Sequence, residues 1–306
     1  MAVYVNTNVS SLHGRRSLNN VQNSLSTTYQ RLSSGLRINS AKDDAAGLQI
    51  ADRLTTQING LNQGNRNTND GIALAQTIES GMDEMSGMLQ KIRTLAVQSA
   101  NGTNTKEDRD AIKKEGDALA AEIKRIAEQT KFGGKTVLNG YQDNNKSIFA
   151  AKDAAGNAAK ANSKGTVILQ VGANKGDEIN FIVDNFTFST LASRAGATDD
   201  SYKAANGLML GTASGAKEVI ALMDKMIAQV DGQRSDLGAI QNRLESSIRN
   251  QSNVAANQAD ARSRIRDADF AEESAALSQQ SIIQQAATSM LMQANSRPQL
   301  ALSMLG

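Results

Sequence analysis

From Leu54 onward, apolar or small residues recur at a four-three spacing: Leu54, Ile58, Leu61, Asn65, Thr68, Ile72 and Ala75, with Leu74, Ile78, Met82, Met85, Leu89, Ile92 and Ala96 carrying the stripe on. That period places them on one face of an α-helix, and no breaker interrupts it before Ala100. The chain's one proline is Pro298. A helix from about Asp43 to Ala100 would be roughly 85 Å long, a strut lying along partner helices rather than part of a globular core. Gly60, Gly64, Gly71, Gly81 and Gly87 lie inside it. Each is less favourable there than Ala by about 1 kcal/mol, so packing against a partner must hold the helix.

The start of this helix is written in the run Arg31 to Leu48. Ser34-Gly35 offers a residue free to take positive φ, a usual helix stop, and Ser40 with Asp43 has capping-box spacing. After Ala100, Asn101-Gly102 reads as a turn. Thr105 with Asp108 reads as a second capping box, opening a helix through Ile112, Leu119, Ile123 and Ile126. This helix is expected to end at Gly133-Gly134 and to fold back on the first as an antiparallel hairpin.

The period then changes. Thr166 to Val171 and Glu178 to Val183 read as a β-hairpin, and residues 141 to 164 and 192 to 206 as exposed loops. Helical stepping returns with Met223, Ile227, Val230, Leu237, Leu244 and Ile248. From Ala255 through Leu291 the sequence reads as a further, weaker helix with Ala276, Ile283, Ala287, Met290 and Ala294 on one face. At the other end, Leu18, Val21, Leu25 and Leu32 form a thin stripe with Thr28 in the missing place, and Val5, Val9 and Leu12 form a similar one offset by one residue. Asn, Ser and Thr fill the rest, and these are poor helix formers. The first forty or so residues are therefore expected to order only in an assembly.

The expected fold is mainly α: a long antiparallel coiled-coil or helix-bundle rod with paired N- and C-terminal helices and a small β-hairpin region in the middle. The expected divisions are a terminal coiled coil (1–42 and 262–306), a helical rod (43–140 and 207–261) and a hairpin and loop region (141–206).

Composition narrows the function. Aromatics are 3% and Trp is absent, so a large globular core is poorly supplied. With no cysteine, disulfides and thiolate chemistry are excluded. The formal net charge of +2 argues against a dedicated nucleic-acid binder. Residues 1 to 42 carry Arg15, Arg16, Arg31, Arg37 and Lys42 without Asp or Glu, which reads as a packed helix with basic edges or as a membrane-surface helix, a transit peptide or an export segment. No apolar run approaches the ~20 residues needed to span a bilayer. Near the start, Asn6, Thr7 and Asn8 break the apolar run a cleavable signal would need. Neither membrane insertion nor a Sec-type signal is expected.

Chemistry is sparse. Gly134-Lys135-Thr136 resembles part of a phosphate-binding loop, but Gln129 stands where the first glycine belongs. His13 is the sole histidine, so a catalytic triad and a two-histidine zinc helix both fail. Asp43/Asp44, Asp83/Glu84 and Glu272/Glu273 are adjacent pairs, which diverge by about 100° on a helix. Arg262, Arg264 and Arg266 with Asp267 and Asp269 read as a salt-bridge patch between helices or subunits, and Met82, Met85 and Met88 as core filler. No catalytic, metal or cofactor residues follow, and the chain is read as a non-enzyme.

What remains is uncovered apolar length. Each stripe residue buried at a subunit contact would add roughly 1.5 to 3 kcal/mol, and contacts that do not close on themselves make filaments. The self-assembly residues expected on this ground are Val9, Leu12, Leu18, Val21, Leu25, Leu32, Leu36 and Ile38, with Ile283, Ala287, Met290, Leu291, Leu302 and Leu305.

The run Arg31-Leu32-Ser33-Ser34-Gly35-Leu36-Arg37-Ile38-Asn39-Ser40-Ala41-Lys42-Asp43-Asp44-Ala45-Ala46-Gly47-Leu48 closely resembles the N-terminal signature of bacterial flagellins. So do Gly71 to Thr77, Leu95 to Asn101, Leu237 to Leu244 and Ile265 to Ala271, in the same order. The resemblance implies a structural subunit that self-assembles into the flagellar filament for swimming motility. It also implies export through the flagellar type III apparatus, a secretion chaperone on the C-terminal helix, contact with filament cap and hook-filament junction proteins, and a secreted, extracellular location. The alternative it leaves is a hook-filament junction protein sharing the same terminal helices. Host Toll-like receptor 5 is a further implied partner, its matching positions being Lys91, Leu95 and Glu115 with Arg93, Gln98 and Ile112 nearby.

Overall fold

The computed structural model describes residues 7–141, 146–149, 164–203 and 207–303. In chain order its elements are α1 (Val9–Ser34), α2 (Ala45–Ala100), α3 (Lys106–Gln129), β1 (Lys131–Phe132), β2 (Lys135–Thr136), β3 (Gly165–Gln170), β4 (Glu178–Val183), α4 (Phe188–Arg194), β5 (Tyr202–Lys203), β6 (Gly207–Leu208), α5 (Ala213–Arg266) and α6 (Phe270–Ser303). The chain divides into a central unit, Asn59–Val254, and a terminal unit, Met1–Ile58 with Ala255–Gly306. The terminal unit thus takes in more of the chain than residues 1–42 and 262–306, and α2 and α5 each contribute to both units.

In the central unit the α2 stripe is the core. Leu74, Ile78, Met82, Met85, Leu89 and Ile92 are buried against Ile112 and Ile123 of α3 and Val219, Met223, Met226, Val230, Leu237 and Leu244 of α5. The Arg93–Asp224 and Asp83–Arg234 ion pairs and the Gln241 to Glu79 hydrogen bond (2.9 Å) set α2 and α5 antiparallel in one register. The Lys91–Glu115 pair (3.2 Å) and the bond from Arg109 Nε to the Ser99 carbonyl (3.0 Å) do the same for α2 and α3. Met82 and Met85 are core filler, as the sequence suggests.

The glycines of α2 find a reason here. The β3–β4 hairpin, registered Gly165↔Val183 through Gln170↔Glu178, lies along α2, with Asn67 Nδ2 donating to the Gln170 carbonyl (2.9 Å). A Cβ on Gly64 would collide with the Val171 carbonyl oxygen, and one on Gly60 or Gly71 with Ala173 or Leu169. Backbone meets backbone there only because no side chain intervenes. Gly87, by contrast, faces open space.

Several boundaries differ from the sequence reading. The helix expected to begin near Asp43 starts at Ala45, because Asp44 Oδ1 accepts the Gly47 N–H (2.9 Å) and so caps it, while Ser40 and Asp43 build the turn before it. Thr105 and Asp108 do form their capping box. The α3 helix ends at Gln129 rather than at Gly133-Gly134. The Thr130 hydroxyl and N–H both turn back to the Ile126 carbonyl, and Gly133-Gly134, with φ of 57° and 82°, becomes the two-residue turn joining β1 to β2. Gly134-Lys135-Thr136 is therefore hairpin, not a loop before a helix.

The stretch read as loop from 192 to 206 begins inside α4, whose Phe188, Leu191 and Ala192 are buried, and also holds β5. Of the 141–164 loop, 142–145 and 150–163 lie outside the described residues. The helix read through Ala255 to Leu291 is two helices, broken at Asp267–Asp269, and α6 continues through Pro298. Helical stepping also begins earlier than Met223, at Ala213.

Replacing Gly87 by Ala is expected to raise the unfolding free energy by about 0.5–1 kcal/mol. Gly64→Ala is expected to lower it by about 1–3 kcal/mol through overpacking. Urea denaturation of both variants checks the pair.

Candidate assembly surface

The terminal unit rests on α1 lying antiparallel to α6. Asn8 Nδ2 donates to the Ala294 carbonyl (2.7 Å), a Cβ on Gly14 would stand 3.1 Å from Leu291 Cδ1, Thr28 Oγ1 meets Gln280 Oε1 (3.2 Å), and Arg31 Nη1 pairs with Glu273 Oε1 (2.9 Å). Asn8 also caps α1, accepting the Ser11 N–H (3.1 Å). On α1 the covered positions are Ser11, Gly14, Leu18, Val21, Leu25, Thr28 and Leu32, the three-four spacing of a coiled-coil seam. The stripe was legible, but it is thin: Thr28, at 4% exposure, is the one fully buried residue of α1, and Leu18, Leu25 and Leu32 are half-buried.

The α1 end is clasped to the junction between α5 and α6. Gly35, at φ 70°, stops α1 as its sequence suggests. Its carbonyl accepts the Ala268 N–H (3.0 Å), the Arg37 N–H donates to the Arg266 carbonyl (2.7 Å), and the Arg37 guanidinium donates to the Ile265 carbonyl (2.7 Å). Asp269 Oδ1 accepts the Ala271 N–H (2.8 Å) and opens α6. The basic run resolves differently from the patch expected: Arg264 pairs with Asp260 one turn back (2.9 Å), and Arg262 Nη1 reaches Thr55 Oγ1 (3.4 Å).

The face read for α6 is split. Ala287, Leu291 and Ala294 turn toward α1, whereas Ile283 and Met290 sit at the edge of the seam and remain exposed. Opposite them α1 presents only Ser10, His13, Gly14 and Ser17, and a groove of about 890 Å³ opens between the helices. Val9, Leu12 and Tyr29 on α1 and Phe270, Ile282 and Met292 on α6 are also exposed. Of the other expected assembly residues, Leu18, Val21, Leu25, Leu32 and Leu36 are half-buried, and Ile38, at 2% exposure, is filled in by its own chain. The Leu302 side chain and Leu305 lie outside the described residues.

Tyr29, Phe270, Ile282 and Met292 were not singled out from sequence. The signal for Ile282 and Met292 was the doublet Ile282-Ile283 and the run Met290-Leu291-Met292: apolar residues at successive positions give a helix more than one apolar face.

In the central unit, Lys91, Arg93, Gln98 and Glu115 lie on the surface, the first and last paired with each other and Arg93 paired with Asp224. Leu95 and Ile112, at 7% and 8% exposure, belong to the core. Among the described residues no cluster of His, Cys, Asp or Glu could hold a metal ion, and no helix is long and apolar enough to cross a membrane.

The Asp43 carboxylate accepts the Ser40 and Asn39 N–H groups (2.9 and 3.1 Å), and these bonds hold its pKa below the ordinary value of 3.8. A depressed carboxylate contributes stability above its ordinary pKa and loses it as pH falls through the lowered one. Amide exchange at Asn39 and Ser40 is therefore expected to stay slow at neutral pH and to accelerate, relative to other turn amides, once the pH falls well below that ordinary value.

Residues 5–143 match the family described as the bacterial flagellin N-terminal helical region, and residues 220–305 the bacterial flagellin C-terminal helical region. The chain is 37% identical over 377 residues to flagellin D of Vibrio anguillarum and 36% identical over 379 residues to polar flagellin F of Vibrio parahaemolyticus, with 100% of each chain covered in both. A solved structure titled as a putative flagellar hook-associated protein from Vibrio parahaemolyticus shares the fold: TM-score 0.56, 17% identity, covering 74% of this chain and 100% of that one.

Proposed function

The chain belongs to the bacterial flagellin family, and from that premise we propose that it is a structural subunit which polymerises into the flagellar filament through the outward faces of its terminal helices. The observation carrying this is α6. A helix with Ile282, Ile283, Met290 and Met292 exposed beside a half-filled groove lacks neighbours in its own chain, and further copies supply them. The seam supports the reading too, since polar pairs such as Thr28–Gln280 and Arg31–Glu273 set register while adding little burial. The contacts are heterologous and do not close, so the assembly is a filament.

The role is structural, without catalysis. We read the subunit as secreted to the cell exterior by the flagellar type III apparatus, with the apolar faces of α6 covered by a secretion chaperone beforehand and by the filament afterwards. Cap and hook-filament junction proteins are the partners at its ends. Substituting Ile282 and Ile283 together by Asp is expected to abolish sedimentable filaments while leaving the helical circular dichroism of the free subunit unchanged. Filaments at wild-type yield would refute the assignment of this face.

Toll-like receptor 5 recognition is read from Lys91, Arg93, Gln98 and Glu115, with Leu95 and Ile112 supporting them from below. Lys91→Ala with Arg93→Ala is expected to weaken signalling in a receptor reporter assay about tenfold, and unchanged potency would remove these positions from the receptor contact.

A further inference from the structure

The described methionines of this chain fall into three physical classes. Met82, Met85, Met223 and Met226 are 0% exposed in the central core, and Met88 and Met209 are half-buried. Met290 and Met292, two residues apart on α6, are each 67% exposed. Met290 lines the groove beside His13 and Ile283. With no cysteine in the chain, thioethers are its only sulfur.

We propose that Met290 and Met292 are oxidation sites through which a hydroperoxide controls assembly: oxidised in the free subunit, they block its addition to the filament. The inference rests on the reading that the outward faces of α6 are covered on polymerisation. A thioether sulfur attacks one oxygen of hydrogen peroxide and the O–O bond breaks. That oxygen becomes the sulfoxide oxygen, its proton passes to the departing hydroxide, and water leaves. Sulfur loses two electrons and the peroxide gains them. The product is a polar, chiral side chain where an apolar, adaptable one stood. It must then be buried with its S=O dipole unmatched, which disfavours the contact. In the assembled filament the same sulfurs are covered, so oxidation acts on subunits in transit and spares finished polymer.

The test is brief peroxide treatment of the free subunit, mapped by peptide mass spectrometry and followed by polymerisation. Sulfoxide is expected first at Met290 and Met292 and last at the four core methionines, with both Met290 and Met292 protected in preformed filaments. The critical concentration of treated wild type is expected to rise about tenfold or more, and methionine sulfoxide reductase to restore it. M290L/M292L is expected to polymerise equally before and after treatment. Undiminished polymerisation of wild type carrying both sulfoxides would overturn the inference and leave the filament reading standing. A treated double variant losing polymerisation as wild type does would also overturn it. Failure of untreated wild type to polymerise would instead overturn the filament reading. Reductase rescue carries the test should the double variant not fold.

Discussion

The contact on which the terminal unit depends is the narrow seam between α1 and α6. Two helices separated by 235 residues or more of chain must find each other, and what they offer is half-buried leucines, one buried threonine, a glycine facing a leucine and one ion pair. Such a seam fixes which residues meet. It covers little apolar surface, and a pair of helices this poor in burial has small stability of its own. The consequence is carried on the outside: the large side chains that could have thickened the seam, Ile283 and Met290 among them, are at its edge or beyond it.

The central unit works by the opposite arrangement. Among the described residues, four helices and three antiparallel strand pairs enclose a continuous core running from Leu74 to Leu244, and ion pairs at its rim, exposed and individually worth little, align helices already held by burial. Even its apparent weaknesses are used. Glycines that cost α2 helix propensity are what let the β3–β4 hairpin lie directly on it, so the loss in one element is offset by contact in another. A chain can thus carry one half that is complete alone and one half whose apolar faces are left for neighbours.

Much of this was legible in residue order because period is a strong signal over long helices. The α2 stripe, the Thr105–Asp108 cap, the β3–β4 hairpin and the Thr28 seam all come from spacing that tertiary contacts did not override. The failures lie where a local contact decided the outcome. Thr130 ended α3 with its own hydroxyl before the glycines were reached, and Asp44 rather than the Ser40–Asp43 pair capped α2. The α5–α6 break has neither glycine nor proline: Gly35 and Arg37 bond across it from a distant segment, and the one local signal is Asp269, which opens α6. On α6, spacing put Ile283 and Ala287 on one face, but the two lie about 40° apart on a helix wheel at 100° per residue, and a small rotation brings Ala287 and not Ile283 against α1.

Because the chain has no native cysteine, one engineered thiol reports its surroundings without ambiguity. Ile283→Cys, reacted with a maleimide as free subunit and again after polymerisation, asks directly whether a neighbouring copy covers the outer face of α6. The account predicts fast labelling of the free subunit and labelling at least about tenfold slower in sedimented filaments, as expected for a side chain moved from solvent into a packed contact. Equal labelling in both states would contradict it.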